Sequence, residues 1–139
     1  ILVWDVASGG YIGRYHHVNP VNALAWSPDG QRIASATDGK KVRVREITTN
    51  RIAVTYRGHT HAIHALSWSS DGQYIASASA DRTVQVWSAT TGNHRFTYRG
   101  HVDAVHAVAW NPLGEPETSG GRGIASAGAD STVQVWQML

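Results

Sequence analysis

The stretch Gly58-His59, Ile63-His64-Ala65-Leu66-Ser67-Trp68, Ile75-Ala76-Ser77-Ala78, Asp81-Arg82-Thr83-Val84-Gln85-Val86-Trp87 is written a second time further along the chain. There it reads Gly100-His101, Val105-His106-Ala107-Val108-Ala109-Trp110, Ile124-Ala125-Ser126-Ala127, Asp130-Ser131-Thr132-Val133-Gln134-Val135-Trp136. A worn copy precedes both, from His17 through Trp26, Ala34-Ser35-Ala36 and Val42-Arg43-Val44-Arg45. Trp4, Arg45, Trp87 and Trp136 close successive copies at spacings of 41, 42 and 49 residues. Self-similarity at a fixed period decides the architecture before any single residue does. Within the second unit, alternation and turn signals predict strands over Ala62 to Trp68, Tyr74 to Ser79, Thr83 to Trp87 and His94 to Tyr98. Asp71-Gly72 and Asp29-Gly30, each between apolar runs, are hairpin signals. Small Ala and Ser residues fill the second strands, as expected where neighbouring sheets approach closely, and Val fills the third, which suits burial on both faces.

The units resemble WD repeats, and the resemblance covers essentially all 139 residues. The Asp that follows the closing Trp survives only at Asp5; Glu46, Ser88 and Gln137 stand at the equivalent positions. The resemblance implies an all-β propeller of four-stranded antiparallel blades, with about three blades here out of a larger, seven-bladed ring. Strands count as two, four, four and three along the chain. The implied divisions are 1–16, the third and fourth strands of a preceding blade; 17–58, a degenerate repeat; 59–100, a complete repeat; and 101–139, a repeat ending on its third strand. In this family the last blade commonly stops there, so Leu139 reads as a natural C-terminus and Ile1 as a cut. Propellers need four or more blades, and an open arc would expose strand edges and apolar faces. The remainder of the ring is therefore expected from the same polypeptide or another chain, with self-assembly of this segment the weaker alternative.

Bulk properties narrow the partner class. Net charge is +2 and only 16% of residues are charged, with no long basic run. Nucleic-acid binding calls for a clustered basic surface, so a nucleic-acid partner is not expected. With no cysteine, disulfides and thiolate metal sites are excluded. No run of 18 apolar residues would span a membrane, and a cytoplasmic setting is the expectation. His59, His61 and His64 lie close together but have no cysteine and few carboxylates near them, and neither a metal nor a cofactor is expected. No phosphate-binding loop, metalloprotease helix or paired-carboxylate pattern occurs.

His59, Ser77, Asp81 and Trp87 in one unit correspond to His101, Ser126, Asp130 and Trp136 in the next. Serine, histidine and aspartate together raise the possibility of a nucleophilic triad. Against this, the set recurs with the architecture and adds an indole donor each time, whereas an active site is usually single. The resemblance implies a structural network in which Asp accepts from His, His accepts from the Ser hydroxyl and Ser accepts from the Trp N–H. The first unit keeps His17 and Ser35 but has Gly39 at the Asp position and Arg45 at the Trp position. It also carries Lys40, Lys41, Arg43 and Arg45 around Val42 and Val44. Either this is a drifted blade or its basic face is a groove for an anionic partner, an acidic peptide or a phosphate. The third unit inserts seven residues between Trp110 and Ile124, a Pro- and Gly-rich segment read as a variable surface loop or a docking loop.

Partners of such propellers usually dock on the face that carries the loops into the first strands and the turns between the second and third. Carried over, the positions that reach it are Pro20, Asn22 and Asp38; Ala62, His64 and Ala80; Ala104, His106 and Ala129. Most are small, leaving Asn22, Asp38, His64 and His106 as candidate partner-binding residues. The functional expectation is a non-enzymatic scaffold for a protein or peptide partner. The alternative is the C-terminal sensor or regulatory propeller of a multidomain signalling protein, with a kinase or nucleotide-hydrolysing domain upstream. A propeller enzyme is disfavoured because the polar residues repeat with the blades.

Overall fold

The computed structural model describes residues 1–113 and 123–138. The described residues contain strands and no helix. In chain order they are β1 (Leu2–Trp4), β2 (Tyr11–Arg14), β3 (Val21–Trp26), β4 (Arg32–Thr37), β5 (Val42–Glu46), β6 (Ile52–Tyr56), β7 (Ile63–Trp68), β8 (Tyr74–Ser79), β9 (Val84–Ser88), β10 (His94–Tyr98), β11 (Val105–Trp110), β12 (Gly123–Gly128) and β13 (Val133–Gln137). They form antiparallel sheets β1-β2, β3-β4-β5-β6, β7-β8-β9-β10 and β11-β12-β13. Each sheet is a meander. The seven-residue insertion falls largely on 114–122, outside the described residues.

Turn chemistry sets the hairpins. Gly30 and Gly72 take φ of +68° and +70° where Asp-Gly predicts a turn, a region glycine enters without steric cost. The turns between second and third strands instead place Lys40, Arg82 and Ser131 at φ of 60°, 70° and 63°. The third strands start one residue later than the pattern predicts, at Val84 and Val133. Thr83 and Thr132 stay in the turn, with backbone N–H and hydroxyl both directed at the aspartate two residues earlier. Likewise β7 begins at Ile63, because the Ala62 carbonyl accepts from the Ala80 N–H and the Ser79 hydroxyl.

The core lies between sheets. Ala34, Ala36, Val42 and Val44 of one sheet are buried with Leu66 and Trp68 of the next; Ala76, Ala78, Val84 and Val86 are buried in turn with Val105, Trp110 and Ile124. The first strands of successive sheets lie side by side, β3 against β7 and β7 against β11. Alanine in the second strands lets the sheets close up, and a methyl group there already fills the gap. Directional contacts fix the stacking: the Trp68 indole N–H donates to the Ala25 carbonyl at 3.0 Å, and the Arg32 guanidinium lies over the Trp68 ring at 5.0 Å.

The same stacking rule identifies what is open. Leu24 and Trp26 match Leu66 and Trp68 in position, yet both are 51% exposed. Val133 and Val135 match the fully buried Val84 and Val86, yet are 73% and 76% exposed. Both lateral faces of the arc therefore present apolar side chains.

Candidate partner-binding rim and internal polar networks

Two polar networks sit inside the sheets. His59, in the loop before β7, has Nδ1 2.7 Å from the Asp81 carboxylate and Nε2 2.8 Å from Ser77 Oγ. The ionised carboxylate accepts a hydrogen bond from Nδ1–H, leaving Nε2 to accept from the serine hydroxyl. The Trp87 indole N–H then donates to Ser77 Oγ at 3.2 Å. The third unit repeats this with His101 to Asp130 at 2.8 Å, His101 to Ser126 at 2.8 Å and Trp136 to Ser126 at 3.3 Å. Every group of these sets is matched to another, and both imidazoles and both serines are buried.

Burial of Asp81 opposes its charge, but hydrogen bonds from His59 and Thr83, the His59 ring and the Thr60 N–H outweigh that and hold its carboxyl well below the usual range. Asp130 is likewise held low, chiefly by the Thr132 hydroxyl and then by His101. The networks reach further than the sequence reading took them. The Tyr56 hydroxyl donates to Gln85 Oε1 at 2.6 Å, and the Gln85 amide donates to the Gly58 carbonyl and Thr83 Oγ1. Burial, then the Asp81 charge, pushes the Tyr56 phenol up to about 12. Tyr98, Gln134, Gly100 and Thr132 repeat the arrangement. The signal was present, since Tyr-Arg-Gly-His and Thr-Val-Gln-Val-Trp both recur intact.

The glycine of each Gly-His pair has a steric cause. A Cβ on Gly58 would run into the Tyr56 hydroxyl and Gln85 Oε1, and one on Gly100 into Gln134 and Tyr98. The first unit, lacking the tyrosine–glutamine pair, has His16 at that position.

The four candidate partner-binding residues gather at one rim. The Asp38, Ala80 and Ala129 N–H groups, in the turns after the second strands, donate to the carbonyls of Pro20, Ala62 and Ala104, which lead into the first strands. The register of each first strand skips one residue: between Val21 and Ala23, Ile63 and Ala65, and Val105 and Ala107. The skipped residues are Asn22, His64 and His106. A bulge takes its extra residue out of the ladder and re-aims the side chain. His64 and His106, from adjacent sheets, face each other with ring centroids 5.1 Å apart. Asn22 Nδ2 donates to Asp38 Oδ1 at 2.6 Å and reaches the Ile63 carbonyl of the next sheet at 3.4 Å. Among the described residues, no cluster of three or more His, Cys, Asp or Glu is arranged to hold a metal ion.

Four-stranded meanders stacked side by side, first strands innermost and bulged toward one rim, define a segment of a β-propeller. The WD domain, G-beta repeat family (WD40) matches residues 9–45, 50–88 and 92–137. The chain belongs to this family. Periodic tryptophan protein 2 of Arabidopsis thaliana is 34% identical over 61 residues, covering 43% of this chain and 7% of that protein. The protein of the same name from Saccharomyces cerevisiae is 35% identical over 57 residues, 40% of this chain and 6% of the relative. The chain thus spans a small fraction of the length of these curated relatives. Two solved structures, of U3-55K and of the RRP9 WD40 repeats, each superpose with a TM-score of 0.80 at 25% identity, covering 88% of this chain and 37% of theirs. WD40 propellers generally mediate protein interactions and generally act as non-catalytic scaffolds.

Proposed function

We propose that this chain is a non-enzymatic interaction module whose partner, a protein or peptide, docks on the rim carrying Asn22, Asp38, His64 and His106. The observation that carries the reading is the threefold bulge. Each first strand gives up one ladder position, and each time the displaced residue is polar and stands at the same rim. The serine, histidine and aspartate groups that suggest hydrolysis are instead engaged within the sheets, twice over. The exposed Leu24 and Trp26 on one side, and Val133 and Val135 on the other, support further propeller blades covering both lateral faces. We take these from the same polypeptide or another chain, in a ring of seven.

Photocrosslinking tests the rim. His106→benzoylphenylalanine should capture a protein partner under native conditions, whereas the same replacement at the exposed Leu113 should not. A His64→Ala/His106→Ala variant should weaken binding of the captured partner at least tenfold while melting as the parent does. Equal capture from both positions, or unchanged affinity in the double variant, would remove the rim from the binding surface.

A further inference from the structure

The first complete sheet holds a cleft of about 250 Å³ lined by His17, Val18, Asn19, Thr37, Lys41 and Arg43. Its walls have an internal reference. In the next sheet, the Asp81 carboxylate accepts from His59 Nδ1, the Thr60 N–H and the Thr83 N–H and hydroxyl, while the Asp81 backbone N–H donates to Ser79 Oγ. By repeat position His59, Thr60, Ser79 and Thr83 correspond to His17, Val18, Thr37 and Lys41, all four of which line the cleft. Gly39 stands where the carboxylate would be. The turn itself is unchanged, with Lys40 at φ 60° against 70° for Arg82 and 63° for Ser131.

What has changed is charge and hydrogen bonding. Among the described residues, His17 Nδ1 is the buried side-chain polar atom left without a partner; its counterparts on His59 and His101 each bind an aspartate. The His17 Nε2 still meets Ser35 Oγ, at 3.2 Å. The neutral Thr83 and Gln85 are replaced by Lys41 and Arg43, and among the described residues ion pairs join only His59 to Asp81 and His101 to Asp130. Asp38, adjacent in sequence, is engaged by Asn22 at the rim. The site thus lacks its internal anion, retains the histidine that bound it and gains two cations. Leaving a buried donor unsatisfied is costly, and a charge-assisted bond to a carboxylate is the strongest way to satisfy it.

We infer that this cleft binds a carboxylate side chain of an acidic peptide segment on a partner, which occupies the place that Asp81 and Asp130 fill internally in the later blades. A carboxylate is favoured over a phosphate because the equivalent walls enclose a carboxylate in both sibling sheets. Lys41 and Arg43 supply the countercharge and the specificity for acidic sequence around it. The site rests on the partner-binding reading but not on the rim histidines.

The test uses the protein with 15N-labelled histidine and a hexaglutamate peptide as probe, with inorganic phosphate and oligouridylate run in parallel. Hexaglutamate is expected to shift the His17 imidazole resonances saturably and to leave those of His59 and His101 in place. Gly39→Asp installs the sibling carboxylate, with the Asn19 amide moving aside for the new side chain. It should weaken hexaglutamate binding at least tenfold and raise Tm. Lys41→Thr/Arg43→Gln restores the sibling residues and should weaken binding by a similar factor without altering Gly39. His64→Ala/His106→Ala should retain the full response even if the rim has no partner. The proposal is overturned by a silent His17, by parental binding in either cleft variant, by loss of the response in the rim variant, or by binding of phosphate or oligouridylate in preference to hexaglutamate.

Discussion

The Arg45 guanidinium lies 5.2 Å over the ring of Tyr15, where the later sheets stack Trp87 on Tyr56 at 4.6 Å and Trp136 on Tyr98 at 4.4 Å. A planar cation has replaced a planar indole on the same tyrosine platform. Arg45 is also tied to the Asn50 carbonyl at 2.6 Å and side chain at 2.8 Å. Tyr15, with no glutamine to meet, turns its hydroxyl to the Ile47 carbonyl at 3.3 Å. The worn repeat is therefore repaired on its outer side, while its inner side is left as the cleft.

Arg45→Ala should lower unfolding free energy by about 1 kcal/mol, the scale of a partly exposed cation–π contact with its hydrogen bonds. Arg45→Lys should lose most of the same amount, since an ammonium keeps the charge but not the flat face. Urea titrations of both variants measure this; a lysine variant as stable as the parent would show that charge alone is at work.

Ser77→Ala should cost about 2 kcal/mol and Ser35→Ala well under half of that. Ser77 Oγ lies at the centre of three contacts, with His59 at 2.8 Å, the Trp87 N–H at 3.2 Å and the Gln85 carbonyl at 3.3 Å. Among the described residues, Ser35 Oγ meets His17 at 3.2 Å and the Arg43 carbonyl at 3.4 Å, with no indole donor. Equal costs in chemical denaturation would mean that the indole donor adds nothing to the network.

Much of this was legible in the chain because repetition is itself a register. The spacing of Trp4, Arg45, Trp87 and Trp136 fixes the sheet order, and the substitutions at Gly39 and Arg45 mark the altered unit before any coordinates. The bulges at Asn22, His64 and His106 were not legible. A one-residue slip in a first strand leaves no compositional trace here, since the skipped asparagine and the two skipped histidines carry no bulge signal of the glycine kind. Nor was the different fate of Lys41, Arg43 and Arg45. Strand alternation groups all three on one face, but the tyrosine platform draws Arg45 outward while the other two line the cleft. Thr83 and Gln85 were visible as repeated letters, yet their role depends on how near Tyr56 and Asp81 come in space.

Gly58→Ala should destabilise by about 2 kcal/mol through overpacking, because its methyl group meets the Tyr56 hydroxyl and Gln85 Oε1. Combining it with Tyr56→Phe/Gln85→Ala should recover part of that loss, as room opens at both contacts. A strictly additive outcome would place the strain in the backbone instead.

Stability should fall on the acid side as Asp81 and Asp130 protonate. Both carboxyls are held below their ordinary value near 4 in the folded chain, so the folded state binds fewer protons than the unfolded one in that region. Their contribution is complete above about pH 4 and is lost as pH falls toward the folded-state values. Thermal melts between pH 6 and pH 2 should show this decline, and an Asp81→Asn/Asp130→Asn variant should be less stable at pH 6 with a flatter acid limb. A variant whose melts track the parent's slope would assign the acid sensitivity to other carboxylates.

The first complete sheet should open more readily than the second. Val42 to Glu46 and Val84 to Ser88 are matched third strands, each paired on either side, and Ile47 follows the first of them directly. The second has a closed network spanning loop, second strand and third strand; the first stops at Ser35 and His17. Local opening follows the weakest set of contacts, so amides of Val42 to Ile47 should exchange faster than those of Val84 to Ser88. Gly39→Asp should narrow the difference by giving His17 Nδ1 a partner. Equal protection in the parent protein would mean that packing between sheets alone sets the opening energy, and that the polar networks serve register rather than rigidity.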